Sequence, residues 1–332
     1  MKKFLSYTFV GFIVLAVIGS LVAYSHYNSS LNNRSEAQYS VIVSPGDNII
    51  NIGFKLSGQK IISSPLSFAI YSFTHPGREK ILPGVHTIPI NSTIPEIFSY
   101  LQTDPNREII LTFPEGLTNQ EIISKITDNF SLTTEEIENE LTINKIKDNL
   151  PFTPKENNFE GFLFPDTYRF AAKSDPSDIL QRFLTNFDTR WYEAAKITNT
   201  QTDLEDYELL ILASIIEKES NSDFVEKEII SGILQKRLAE GIPLGANSTL
   251  NYVLSDKKRV FSDFEINYPS QYNTYQNQGL PPTPICNPGL DSLKAAFNPQ
   301  DTEYYYFLHT SSGETKYAKT YDEHLNNINK YL

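Results

Sequence analysis

The chain has 332 residues, 40% hydrophobic and 20% charged, enough for two modest domains and too apolar for wholesale disorder. A formal net charge of −12 without clustered Lys or Arg excludes a nucleic-acid binder, because a phosphate backbone needs concentrated positive charge. The single cysteine, Cys286, excludes an intramolecular disulfide, and five scattered histidines offer no metal-ligand spacing, so neither metal nor cofactor is expected.

The N-terminus carries Lys2 and Lys3 and then no formal charge before Arg34. Residues 4–24 form a 21-residue apolar run, and at about 1.5 Å per residue this matches a hydrocarbon core about 30 Å thick. A cleaved signal peptide would have a shorter apolar region and a small-x-small exit, which "LVAYSHY" does not supply. The expectation is therefore a single-pass anchor within 1–30, with the N-terminus cytoplasmic and the remainder outside the cell membrane. Residues 31–37 read as the core of a polar tether.

From Tyr39, "YSVIVSPGDNIINIGFKL" predicts a strand, a Pro-Gly turn and a helix starting near Asp47. Ser64 before Pro65 predicts the cap and first turn of a second helix. "PGVHTIPINSTIPEIFSYLQ" adds a strand and a helix. "REIILTFPEGLTNQEIISKIT" repeats the unit, with Thr118 and Glu121 as a capping box. These units predict a small α+β domain over 38–110.

Residues 131–158 are charged and helical in pattern, and "LPFTPKENN" marks a boundary. "FEGFLFPDTYRF" reads as an extended segment, 176–240 as helical, and the region after 241 as loops until "DSLKAAFN" and a strand in "EYYYFLHT". Within the helical stretch, "LLILASIIEKES" presents eight core-type residues, 209–216, followed at once by Glu217. Thr202 and Glu205 predict a capping box that starts this helix near Asp203. At helical spacing Ala213, Ser214 and Glu217 share one face, and a helix apolar nearly all round is buried. Glu217 has two readings. It ends a core helix paired with a cation such as Lys218 or Lys236, or apolar surroundings keep its proton and make it a general acid.

Four segments, "FPEGLT", "FEGFLFPDTYRF", "LASIIEKES" and "YNTYQNQGLPPTPICNPGLDSLKAAFNP", resemble in content and order the endolytic murein transglycosylase family (YceG-like proteins), over about residue 38 to the C-terminus. The resemblance implies an α+β protein with an N-terminal transmembrane helix and a LysM-like α+β domain at 38–110. A mixed α/β catalytic domain at 111–332 would carry the catalytic Glu on a buried helix. It implies a lyase that cuts the β-1,4 bond between N-acetylmuramic acid and N-acetylglucosamine within peptidoglycan strands, leaving a 1,6-anhydro end. Glycan strands are the implied substrate and peptidoglycan synthases the implied partners.

By the same resemblance Glu217 takes the position of the family's catalytic glutamate. Tyr272, Asn273, Thr274 and Tyr275 would form a wall of the glycan groove, the alternative being a rigid loop that merely closes the domain. Asn287 would cap the following helix or contact substrate, and Ser214 would accompany Glu217. Glu160 and Tyr168 would line the cleft, with Glu160 tuning the acid; equally, Glu160 and Asp166 would fix a turn. Glu115 reads as part of the turn that opens the helix at Thr118. The family's L-Q-[ST]-D pattern is replaced here by "LGAN", with Gly245 for Gln and Asn247 for Asp, so any role of that acid's charge is absent. A catalytically silent wall-binding protein and a water-using muramidase remain as alternatives.

Overall fold

The computed structural model describes residues 18–32, 39–77, 80–104, 108–146, 150–155, 158–196, 202–221, 223–255, 258 and 261–332. Two compact units emerge: one runs up to Glu108 and takes in Ala171–Lys173, and the other comprises Ile109–Phe170 and Ser174–Leu332. Residues 1–17, most of the expected anchor, lie outside the described residues. Among the described residues no helix is long and apolar enough to cross a membrane.

Residues 18–31 are helical (α1), and 33–37 of the expected tether lie outside the described residues. Ser30 is buried, with its hydroxyl in hydrogen-bond reach of Tyr27 O and of Ser67 Oγ at 2.5 Å. The first unit continues with β1 (Tyr39–Val43), α2 (Ile49–Gly58), α3 (Pro65–Thr74), β2 (Gly84–Ile88) and α4 (Ile94–Gln102). Strands β1 and β2 pair antiparallel from Tyr39 opposite Ile88 to Val43 opposite Gly84. Alternation along β1 buries Val41 and Val43 against Ile52, Leu56, Phe68 and Phe98. The Phe68 and Phe98 rings stack at 4.1 Å. Asn48 and Ser64 accept from the third backbone amide of α2 and α3, and Thr93 and Glu96 close a capping box on α4. Helix α2 thus starts two residues after Asp47, because Asn48 takes the cap.

The second unit runs β3 (Glu108–Thr112), α5 (Asn119–Thr127), α6 (Thr134–Glu140), α7 (Ile143–Ile146), β4 (Thr167–Ala171), α8 (Pro176–Ala195), α9 (Asp206–Glu219) and α10 (Phe224–Ala239). It ends with α11 (Asn247–Leu254), α12 (Asp263–Ile266), α13 (Leu290–Phe297), β5 (Tyr306–His309), β6 (Thr315–Ala318) and α14 (Tyr321–Tyr331). The sheets among the described residues are two-stranded pairs, β1–β2, β3–β4 and β5–β6. The protein is α+β as expected, but its second unit is a helical body with small sheets attached. Thr118 and Glu121 form the expected capping box on α5. Helix α11 was not visible in the sequence, because "NSTLNYVL" has only a short apolar stripe and follows Gly and Pro.

The core of the second unit is built on α9, in which every residue from Leu209 to Ile216 is buried. Each fully buried Leu or Ile contributes about 1.5–3 kcal/mol, so this helix is a main anchor of the unit. Its start differs from the sequence expectation. Glu205 is the cap and pairs with Glu208 in the box, while Thr202 accepts from Leu204 N and donates to Gln235 Oε1. Glutamate can serve because its carboxylate reaches the same orphan amides that a Thr hydroxyl would. Helices α10 and α13 pack on α9, and the same core takes in Phe162, Phe183, Phe187 and Trp191 from the preceding segments and Leu293 and Phe297 of α13.

Candidate active site

Helix α9 ends where Ser220 turns extended and its amide and hydroxyl both donate to Ile216 O. This leaves Glu217 in the last turn, at the mouth of a cleft of about 300 Å³. The cleft is lined by Glu115, Glu217, Ser220, Asn221, Lys227 and Asp291. The apolar surroundings expected from the sequence are absent at the carboxyl itself, because three elements deliver donors to one oxygen. Glu217 Oε2 accepts from Ser292 Oγ at 2.6 Å, Lys227 Nζ at 3.1 Å and Gly289 N at 3.1 Å. Lys227 also donates to Ser292 Oγ at 2.9 Å, which closes a ring of three side chains. Among the described residues no donor reaches Oε1. The carboxyl is thus fixed through one oxygen, and the other is left to act.

The cation is Lys227, not Lys218 or Lys236 as the sequence suggested. Lys218 reaches the other way and donates to Gly116 O, and Lys236 donates to Thr302 O. Lys227 is buried on the core face of α10, together with Ile230, Ser231 and Leu234. A lysine at the head of such a stripe was the available signal, since an ammonium is buried only where it has partners.

Glu115 lies in the turn that leads to Thr118, as the sequence implied, and it also lines the cleft together with Glu217. Its loop is stapled in place: Lys218 Nζ donates to Gly116 O at 2.9 Å, Gly116 N to Asn287 O at 2.9 Å, and Asn287 N to Leu117 O at 2.8 Å. The Glu115 carboxyl lies against the α-carbon of Gly289, so closely that a Cβ on Gly289 would stand 1.8 Å from Glu115 Oε1. Gly289 has φ −78, so glycine is needed there for space alone. Partial burial, then the charge of Glu217, pushes the Glu115 carboxyl above its ordinary range, with Asp291 adding and Lys227 opposing.

Of the other residues singled out by sequence, most are internal. Ser214 is fully buried; its hydroxyl donates to Ile211 O and accepts from Ile285 N. Asn287 is equally buried: Oδ1 accepts from Leu163 N, and Nδ2 donates to Leu117 O, Asn119 Oδ1 and Glu160 Oε1. Asn273 holds its own loop by donating to Ile266 O and Tyr268 O, and Thr274 donates to or accepts from Thr249 while accepting from Ala246 N. Tyr168 is buried and donates to Phe164 O. None of these five offers a surface to a glycan, because each is buried with its polar atoms bonded within the protein.

Glu160 is also buried, accepting from Asn119 N and from Asn287. Burial pushes its carboxyl up to about 7. It is not among the residues that line the cleft with Glu217, whereas Glu115 is. Its neighbour Gly161 has φ +92, and a Cβ there would meet Pro284 at 2.9 Å, so the "FEG" turn and the "PPTP" segment lock together.

Tyr275, from the expected groove wall, meets Asn247, the residue that replaces the family's Asp. Tyr275 OH donates to Asn247 Oδ1 at the first residue of α11, and Glu219 Oε1 accepts from Ser248 N. Gly245 stands just before this helix with φ +58, donating its amide to Thr274 O. Tyr272 is half-buried, its ring 5.3 Å from Tyr252 and its hydroxyl paired with Thr283.

Comparison with known proteins places the whole chain. Residues 41–330 match the YceG-like family. The endolytic murein transglycosylase of Bacillus subtilis (strain 168) is 34% identical over 175 residues, which is 52% of this chain and 48% of that protein. The endolytic murein transglycosylase of Streptococcus pneumoniae (strain D39) is 25% identical over 98% of this chain and 64% of its own length. The chain thus spans about half to two thirds of the length of these relatives. The crystal structure of a yceG-like protein from Listeria monocytogenes superposes with a TM-score of 0.58 at 26% identity, over 88% of this chain and 99% of that one. A match over almost the whole length, in sequence and in fold, makes this chain a member of the YceG-like family.

Proposed function

We propose that the protein is an endolytic murein transglycosylase that cuts within peptidoglycan glycan strands, with Glu217 as its acid and then its base. The observation that carries this reading is the Glu217 carboxyl: rigidly held through Oε2 by Lys227, Ser292 and Gly289, open at Oε1, and standing in a cleft. Protonated Glu217 donates to the glycosidic oxygen as the bond to the muramic C1 breaks. The resulting carboxylate takes the proton of the C6 hydroxyl, whose oxygen closes on C1 to give the 1,6-anhydro ring. An internal nucleophile of this kind acts at an effective molarity of about 10⁵ M or more when aligned. No water and no second nucleophilic carboxylate are then required, unlike in ordinary glycosidases.

Of the residues expected to meet sugars, Tyr272, Tyr275 and Asn247 are not fully buried, and these we assign to the glycan groove. The names of the relatives support the substrate class. Residues 38–110 act as a LysM-like glycan-positioning domain, residues 4–24 cross the cell membrane once, and the catalytic unit faces outward. Clipping nascent strands there limits their length, in functional partnership with peptidoglycan synthases.

The test is mass spectrometry of products from purified peptidoglycan, beside a Glu217→Gln control. Anhydro-muropeptides from the wild type and none from the control are expected. Reducing ends would replace the internal nucleophile by water, and binding without new ends would leave a wall-binding protein.

A further inference from the structure

We propose that Glu115 is a positioning residue for this reaction: its carboxyl, held across Gly289 from Glu217, is the like charge that retains one proton within the pair and so loads the acid. The inference rests on the role given to Glu217 above.

Gly289 joins the two groups. Its amide donates to Glu217 Oε2 at 3.1 Å, while its α-carbon is covered by the Glu115 carboxyl. Glu217 alone faces a difficulty as an acid. The donors on its Oε2 include the ammonium of Lys227, a positive charge in direct contact with the carboxyl. A general acid must hold a proton at its working pH. An offsetting negative charge has to come from the same cleft, and the groups available are Glu115 and Asp291.

Glu115 is suited to this. Among the described residues no hydrogen-bond donor reaches its carboxyl, so no direct partner takes it out of the coupling with Glu217. The charged groups facing the pair are Lys227 from α10, Asp291 from α13 and Lys218 from α9, and Lys218 is turned to Gly116 O. The coupling is mutual, since two carboxyls in one site titrate as a pair. The upward push on Glu115 by Glu217 is consistent with it. The loop that carries Glu115 is stapled by Lys218 and Asn287, which gives the pair a fixed geometry.

The experiment uses the full chain. Anhydro-product release is followed from pH 4 to 9 for wild type, Glu115→Gln and Glu115→Asp. Carboxyl ¹³C resonances of Glu-labelled wild type and Glu217→Gln protein are titrated in parallel. The alkaline limb of the Gln variant is expected about one pH unit below that of wild type. Its ratio of rates at pH 7.5 and pH 5 then falls about tenfold, and Asp restores most of it. The Glu115 resonance is expected to titrate at lower pH once Glu217 is neutral. A rate loss equal at every pH, or an unmoved Glu115 midpoint, would overturn the proposal and leave Glu115 as a substrate contact or a wall of the cleft. Failure of the wild type to form anhydro ends would instead remove the catalytic reading itself, and this outcome is separate from an unmoved limb in an active enzyme.

Discussion

Replacing Glu160 by Gln should abolish a loss of stability that the wild type suffers as pH rises. Glu160 sits in the core of the second unit, where burial raises its carboxyl from 4.5 to about 7. The folded protein therefore keeps a proton that the unfolded chain has released between those two values. Stability is unaffected below about 4.5, falls as pH rises through the window, and levels off above about 7. At about 1.4 kcal/mol per pH unit the difference is on the order of 3 kcal/mol. Glutamine keeps an oxygen to accept from Asn119 N and Asn287 Nδ2 and has no charge to desolvate. Trp191 is the only tryptophan, is buried, and packs at 4.9 Å against Phe297, so its fluorescence reports unfolding of this unit. Urea titrations at pH 5 and pH 8 should show the wild type weaker at pH 8, and the difference between the two proteins should grow with pH by about 3 kcal/mol. The same pH dependence in wild type and variant would refute the reasoning and mean that the Glu160 site is wetter than its burial implies.

Three further substitutions probe the site and its frame. In Gly289→Ala the new methyl collides with the Glu115 carboxyl, a flexible side chain, so anhydro-product release should fall at least about tenfold with little change in the urea midpoint. Full activity would show that the position of Glu115 is unimportant. Asn287→Ala strips partners from Leu163 N, Leu117 O and Glu160 at a buried site and should cost about 3 kcal/mol by Trp191 fluorescence; a cost under about 1 kcal/mol would contradict the stapling role. Gly232→Ala puts a Cβ 2.0 Å from Gln300 O, which is backbone and cannot swing away, so about 2 kcal/mol should be lost; a wild-type midpoint would disprove that close approach.

The local signals were readable because they depend on a few neighbouring residues. Ser64 before Pro65, and Thr118 with Glu121, cap α3 and α5 as the pattern implied, and the apolar run 209–216 is indeed a buried helix. The identity of Glu217 as the notable carboxylate also came from local pattern and family resemblance. Where the patterns erred, a competing partner had won. Thr202 was drawn to Gln235 and Glu205 took the cap of α9.

What the sequence by itself determined, then, is the α+β composition, the capped helices, the family and the one carboxylate at the end of a core helix. The tertiary structure decided which groups surround that carboxylate. Lys227, Gly289 and Ser292 lie 10, 72 and 75 positions from Glu217 and meet it only because α9, α10 and α13 pack together. It also buried Glu160, for which the sequence left two readings open, and added the turn residue Glu115 to the lining of the cleft. The reason is physical: capping and periodicity are contacts within a turn or two of helix, whereas burial and charge pairing depend on helices distant in sequence.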